Sequence, residues 1–358
     1  MAAITDRYRP LVFSIATPHS AGTGFYLPEY ELVVTNEHLV RDDESAVIAA
    51  PGIPEQSAAV VYLDPFYDLA FLRAAAPLPV AIDLPVGPEP TEHAAVISLS
   101  HPFGFAFQTT AGHIIGSEAH DNGTTLLRHS TALLPEHSGG PLFDTAGRLV
   151  GVNTVLLDEA GNRGLSLPAD YLMAALAEFR SLDGTEAVRC ANCATLYGGP
   201  PRPRCTNCGH PLPPYPSTID AYCPEGIGVA VEALLEAVGY DPTLSRRGPD
   251  HWAVRRGSAL IELAYYEKNG FLTGDATLCE LTPNHDPSDL FAYLLSENFT
   301  LDGLVFSLRE NRVLLSFMIY DRYLHTETGR QLFDRLFERA DHYDDVLVDT
   351  YGARWLEQ

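Results

Sequence analysis

The chain has 358 residues, 46% of them apolar and 20% charged, with 23 Lys and Arg against 47 Asp and Glu and a formal net charge of −24. That length suggests two or three domains, and the apolar content supplies buried cores and excludes global disorder. The acidic excess repels phosphate backbones and anionic head groups at long range, which argues against nucleic acid or a membrane surface as the principal partner. Near the start, the apolar patch from Leu11 to Ala16 is too brief for a secretory h-region and has no cleavage site. No stretch reaches spanning length, so a soluble, cytoplasmic protein is the expectation.

From Leu11 to Val155 the sequence is a succession of short apolar or alternating runs with turn residues between them. They fall at Leu11 to Ala16, Gly24 to Leu27, Glu31 to Thr35, Ala46 to Ala50, Ala58 to Leu63, Ala70 to Ala74, Ala94 to Leu99, Gly112 to Ser117, Thr124 to His129 and Arg148 to Val155. Many short strands at this spacing predict a β-sandwich or barrel. The first helical period comes at Pro168 to Phe179, with Leu172, Ala175, Leu176 and Phe179 on one face. Residues 181–217 differ sharply, carrying Cys190-Ala-Asn-Cys193 and Cys205-Thr-Asn-Cys208 among many prolines and ending in the stiff segment Pro211 to Pro216. All six cysteines follow Arg189, so no disulfide staples the first half. Residues 218–358 read as α+β: a helix with Ile227, Val231, Leu234, Leu235 and Val238 on one face and Gly239 as its stop, then strands at Trp252 to Val254, Ala259 to Tyr266 and Thr277 to Leu281. A helix from Pro287 to Leu295 with Asp286 as cap follows, then a hairpin of Leu304 to Leu308 and Val313 to Tyr320, and a last helix carrying Leu332, Phe333, Leu336, Phe337 and Ala340.

Three segments of the first part carry chemistry together: Val33-Val34-Thr35-Asn36-Glu37-His38-Leu39-Val40, Asp68-Leu69-Ala70-Phe71-Leu72, and Pro135-Glu136-His137-Ser138-Gly139-Gly140-Pro141-Leu142. Acyl transfer by serine needs a nucleophile, a base to take its proton and a carboxylate to orient that base. These segments supply all three in the order His, Asp, Ser. Alone, Asp68 reads as a turn residue, His38 as a half-buried histidine and Ser138 as a turn serine; the joint pattern overrides those readings. His19, His101, His113, His129 and His137 have no such context and read as structural or surface residues, and the rival acids Asp42, Asp43 and Asp64 read as loop residues.

On these motifs residues 1–180 resemble a trypsin-like serine protease domain of the HtrA type. Gly22-Thr23-Gly24-Phe25, Leu99-Ser100-His101-Pro102-Phe103-Gly104, Ala111 to Gly116 and Gly164-Leu165-Ser166-Leu167-Pro168 support the match. The resemblance implies an all-β double barrel, with His38 as general base, Asp68 as its partner, Ser138 as nucleophile, and the amides of Ser138 and Glu136 as oxyanion donors. The family has glycine where Glu136 stands, and a residue with a Cβ pays about 1–2 kcal/mol in conformations glycine adopts freely. His137 replaces the acidic residue of secreted digestive relatives, so activation by a new N-terminus is not expected. The implied specificity pocket involves Ala132, Leu133, Leu165 and Leu167; it contains no acid and favours a small or aliphatic side chain.

The two Cys-x-x-Cys knuckles can present four thiolates, from Cys190, Cys193, Cys205 and Cys208, to one structural zinc ion, and the segment resembles a zinc ribbon. A redox reading lacks the βαβ context it needs. Cys223 and Cys279 read as structural, and Arg189, Arg202 and Arg204 as a solvated basic face. Residues 218–358 resemble, in order of elements, the YbjN or type III secretion chaperone-like fold, which implies binding of a protein substrate or regulator and a capacity to form a homodimer. Trp252, Tyr265, Tyr266, Phe271 and Tyr293 suit either an interaction surface or a plain core. The sequence therefore predicts a multidomain serine endopeptidase acting on protein or peptide substrates, with no nucleic acid or membrane partner. The alternative is a protease-fold scaffold, impaired at Glu136, that binds peptides or partner proteins.

Overall fold

A computed structural model describes residues 1–101, 107–120, 122–158, 161–182, 186–256, 259–282 and 286–355. The chain divides into two units, Met1–Tyr222 with Arg247–Pro249 and Cys223–Arg246 with Asp250–Gln358. Pro102, Phe103 and Gly104 of the segment compared above lie outside the described residues.

A short helix, α1 (Ala2–Tyr8), opens the first unit; the local pattern gave no sign of it. It is fixed from a distance, because the Tyr8 hydroxyl donates to Gly147 O at 2.8 Å and its ring stacks on Phe143 at 4.8 Å. Strands β1 (Val12–Ala16), β2 (Ala21–Leu27), β3 (Leu32–Thr35), β4 (Ser45–Ala50), β5 (Ile53–Asp64) and β6 (Leu69–Ala74) pair in the order β5-β4-β1-β2-β3-β6. Pairing of β5 with β6 closes this ring. All five residues of β1 are buried, and Val12, Phe13 and Ile15 join one apolar core with Phe25, Val33 and Phe71.

The second ring is a closed barrel of β7 (Ala95–Ser100), β8 (Gln108–Ala119), β9 (Thr125–His129), β10 (Pro141–Asp144), β11 (Leu149–Asp158) and β12 (Gly161–Pro168), in the order β10-β11-β12-β9-β8-β7. Strands β10 and β12 have no alternating apolar signature; β10 begins at a proline and β12 opens with Gly-Asn-Arg-Gly, and both are recruited by their neighbours. Val96, Ile114, Leu127, Leu142 and Val150 form one apolar cluster. Two residues on from Val96 and Leu127, and so on the same strand faces, Ser98 and His129 begin a buried polar chain. His129 Nε2 lies 2.9 Å from Ser166 Oγ, Ser166 Oγ donates to Asn153 Oδ1 at 2.9 Å, and Asn153 Nδ2 donates to Ser98 Oγ at 2.8 Å. Burial pulls the His129 pKa down to about 4, so this histidine is a neutral core member.

Helix α2 (Ala169–Arg180) buries Ala169, Leu172, Ala175, Leu176 and Phe179, the face its spacing predicts. Each large side chain removed from water there contributes about 1.5–3 kcal/mol, and Phe179 reaches the rings of Tyr62 and Phe71 at 5.5 and 5.6 Å. Next come β13 (Ala187–Arg189) and β14 (Leu196–Gly198); β13 lies parallel to β5 through Ala187 and Tyr62 and through Val188 and Leu63. The solvated basic face expected at Arg189 is corrected here. Arg189 is 3% exposed, its Nε donates to Asp64 Oδ2 at 2.7 Å, its Nη2 donates to Tyr62 Oη at 2.9 Å, and Glu178 also accepts from Nη2. Asp64 is likewise no loop residue but the buried end of β5. The proline-rich segment packs down rather than standing free: Tyr215 and Pro216 are buried, and Tyr215 joins the same core as Phe13.

The second unit begins with α3 (Ile227–Ala237) and α4 (Pro242–Ser245); a three-residue strand, β15 (Arg246–Gly248), falls where the two units divide. Strands β16 (His251–Arg256), β17 (Ala259–Tyr266), β18 (Phe271–Glu280), β19 (Val305–Arg309) and β20 (Arg312–Tyr320) run in the order β16-β17-β18-β20-β19, all antiparallel. Helices α5 (Ser288–Asn298) and α6 (Thr326–Tyr351) bring Leu290, Leu294, Phe333, Leu336 and Phe337 into one core with Val231, Trp252, Leu263, Leu315 and Phe317. Asp286 Oδ1 accepts from the Ser288 amide at 3.0 Å, the capping role its position suggested. No described helix is long and apolar enough to cross a membrane.

Candidate active site and metal centre

His38 sits in the single turn Glu37–Leu39 after β3, and Asp68 immediately precedes β6, the strand paired with β3. Antiparallel pairing of Thr35 with Ala70 therefore brings the two residues together. His38 Nδ1 lies 2.9 Å from both Asp68 carboxylate oxygens, and the His38 amide donates to Asp68 Oδ1 at 3.1 Å. A carboxylate only accepts, so Nδ1 carries the proton and Nε2 of the neutral ring keeps its lone pair. Asp68 adopts φ +53°, a left-handed conformation that Asp tolerates better than most residues. Asn36 Nδ2 holds its carbonyl at 2.8 Å, and Thr154 Oγ1 donates to Oδ2 at 3.1 Å from the second barrel. Thr154 had no local motif to reveal it; it lies in the interior of a long strand run.

Burial opposes charge on His38, but the hydrogen bond and charge of Asp68 outweigh it and raise the imidazole above its ordinary 6.5. Glu37, next to it, is 3% exposed, and burial lifts its carboxyl to about 7 even though Arg41 lies 2.8 Å away.

Ser138 is 1% exposed at the end of a tight turn, Pro135–His137. Backbone bonds join this loop to the first barrel. Thr23 N donates to Ser138 O at 2.9 Å, and Thr23 Oγ1 donates to Glu136 O at 2.9 Å. Gly139 has φ +84°, and any Cβ there would collide with Thr23 O and Thr35 Oγ1, so this position needs glycine. A Cβ on Gly22 would likewise strike Leu39 and meet Ser138 O at 3.1 Å, which places the His38 turn and the serine loop against one strand, β2.

The amides assigned to the oxyanion are not arranged as the resemblance implied. Ser138 N donates to Pro135 O at 3.0 Å, closing the turn on itself, and Glu136 is not among the residues of positive φ. The loop is in a closed form, with one candidate donor internally satisfied. Around it, Ala132 is exposed and Leu133 is 5% exposed, while Leu165 and Leu167, at 0% and 2%, are core residues packed with Val152 and Phe143. His137, read from sequence as a structural or surface residue, is buried beneath this loop.

The four knuckle cysteines converge with their sulfurs all within 4.8 Å of one another, a group that could hold a metal ion. A tetrahedral ion with bonds of about 2.3 Å needs sulfurs about 3.8 Å apart, and Cys190 to Cys208 and Cys193 to Cys205 measure 3.6 and 3.5 Å. The knuckles repeat one design. Cys190 O accepts from Ala194 N at 3.0 Å with Ala194 at φ +57°, and Cys205 O accepts from Gly209 N at 2.9 Å with Gly209 at φ +77°. Hydrogen bonding from Thr195 draws the Cys193 thiol down to about 6, which favours the thiolate a metal requires. Elsewhere, Cys223 is exposed and Cys279 is buried, its thiol pushed up to about 12 by burial.

Comparison with known proteins gives a likeness. Residues 22–152, in the first unit, match the model of the trypsin-like peptidase domain. An uncharacterized protein of Sinorhizobium fredii is 33% identical over 141 residues, covering 39% of this chain and 22% of its own. A probable periplasmic serine endoprotease, DegP-like, of Brucella suis is 29% identical over 150 residues, covering 40% and 29%. Among solved structures, a serine endoprotease from Yersinia pestis is 21% identical with a TM-score of 0.45, covering 52% of this chain and 68% of that one. The chain thus spans under a third of the length of both curated relatives, and at the level of family the likeness is to serine endoproteases.

The His38 and Asp68 pair carries a pH signature. His38, assigned in an NMR titration by its absence in His38→Ala, is expected to titrate above 6.5, and in Asp68→Asn its pKa should fall. Because the folded pKa is the raised one, the pair's stabilisation is fully present below pH 6.5 and is lost as pH rises through the folded value. An unaltered titration in Asp68→Asn would break the assignment.

Proposed function

We propose that the chain is a serine endopeptidase acting on protein substrates. The observation that carries this reading is the two-oxygen grip of Asp68 on His38 Nδ1, which leaves Nε2 free to accept a proton. Ser138 Oγ would attack the substrate carbonyl as its proton passes to His38. Asp68 stabilises the imidazolium so formed, and the imidazolium then returns the proton to the leaving amine. The Ser138 and Glu136 amides would stabilise the oxyanion once the loop opens, and loss of one such donor costs about 10²–10³ in turnover. Ala132 and Leu133 would admit a small or aliphatic side chain.

In this reading residues 1–180 carry the peptidase, residues 181–217 form a ribbon in which Cys190, Cys193, Cys205 and Cys208 hold a structural zinc ion, and residues 218–358 bind a substrate, a regulator or a second copy. The cytoplasm, where thiols stay reduced, suits such a thiolate site. The second reading, a peptide-binding scaffold on a protease fold, is favoured by the bond from Ser138 N to Pro135 O, which closes the loop.

Two experiments test these readings. Hydrolysis of an unstructured protein is expected from the wild type, none from Ser138→Ala, and more from Glu136→Gly, because glycine relieves the Cβ restriction while keeping the amide. Inactivity of both wild type and Glu136→Gly would favour the scaffold. Metal analysis of reduced, folded protein should find about one zinc ion per chain, falling away in Cys190→Ser; a metal-free folded protein would remove the ribbon assignment.

A further inference from the structure

The closed turn at Pro135–His137 is held by more than its own backbone. Leu134 N lies 2.6 Å from His137 Nδ1 and Gln108 Oε1 2.8 Å from Nε2. An amide N–H can only donate and an amide oxygen can only accept, so Nδ1 accepts and Nε2 carries the proton, leaving the longer 3.1 Å approach of Leu134 O to Nδ1 without a hydrogen between them. That Nε2–H donates to Gln108 Oε1 at 2.8 Å. Gln108 is the first residue of β8, far from the turn in sequence, and the imidazole between them is 1% exposed. One side-chain acceptor on a neighbouring strand therefore fixes the tautomer of His137, and through it the amide at the head of the turn. Freeing the Ser138 amide requires the Pro135 carbonyl to rotate away from it, and that rotation works against the Leu134 anchor.

Resting on the serine endopeptidase reading, we infer that Gln108 and His137 are positioning residues that hold the oxyanion loop closed, and that release of the Gln108 contact exposes the Ser138 amide. Neither side chain need touch substrate. Without the Oε1 acceptor the buried Nε2–H has no bond to keep, the ring loses its fixed tautomer, and the closed turn loses its external support relative to the open form. Glu136 stands beside this histidine in the same turn.

The test compares wild type, Gln108→Leu, Gln108→Glu and Glu136→Gly, with Ser138→Ala as blank, in two measurements: the rate of fluorophosphonate labelling of Ser138, and kcat and KM for casein. Gln108→Leu is expected to label about tenfold faster and to raise kcat with little change in KM, since the fraction of open loop rises and no substrate contact changes. Gln108→Glu keeps an acceptor oxygen and should stay near the wild-type rate. Gln108→Ala replaces the leucine variant if circular dichroism shows that variant unfolded. Labelling of the wild type that is matched or slowed in the folded Leu or Ala variant overturns the latch and leaves the endopeptidase reading standing. No labelling in any form, Glu136→Gly included, overturns both.

Discussion

The candidate site depends on a backbone seam between two barrels. The proposed triad draws on both barrels, His38 and Asp68 from the first and Ser138 from the second, so it requires the serine loop to lie against β2 and β3. Two features enforce this: the bonds from Thr23 to Ser138 O and Glu136 O, and a glycine at 139 with no room for a Cβ. Thr154 repeats the logic in the other direction, reaching from β11 to the Asp68 carboxylate. Displacement of one barrel by even about an ångström would separate these groups.

What was legible in the sequence was what short stretches of chain encode locally. Period-two runs gave most strands, the spacing of Leu172, Leu176 and Phe179 gave α2, and the paired Cys-x-x-Cys motifs gave the sulfur cluster, because knuckle geometry is set within five residues. The elements missed were those whose cause is remote. Helix α1 is fixed by Tyr8 against Gly147 and Phe143, β10 starts with a proline, and β12 carries Gly164, which leaves room for the buried His129.

The same distinction explains why one polar residue was misread and another left without a partner. Arg189 looked like one of three scattered surface cations, yet its guanidinium is buried against Asp64, which lies 125 positions earlier. His137 looked incidental because its partner, Gln108, sits on another strand. Local pattern recorded that these side chains are polar; only the closed barrels determine whether water or protein satisfies them. Glu136 is the converse case, where the departure from glycine was visible at once and its structural expression is a closed turn without a strained φ.

The way β13 joins the first barrel sets the size of the smallest piece that can fold. A chain ending at residue 180 would keep every residue assigned to acyl transfer, but it would leave Tyr62 and Leu63 without their parallel neighbour and would strand the Asp64 carboxylate in the interior with no cation. Stranding a buried charge costs about 3–5 kcal/mol, a large share of the 5–15 kcal/mol by which folded domains outlast their unfolded chains. The minimal folding unit of the first barrel is therefore longer than the stretch that holds the proposed triad, and the segment bearing the four cysteines is part of the barrel's own wall.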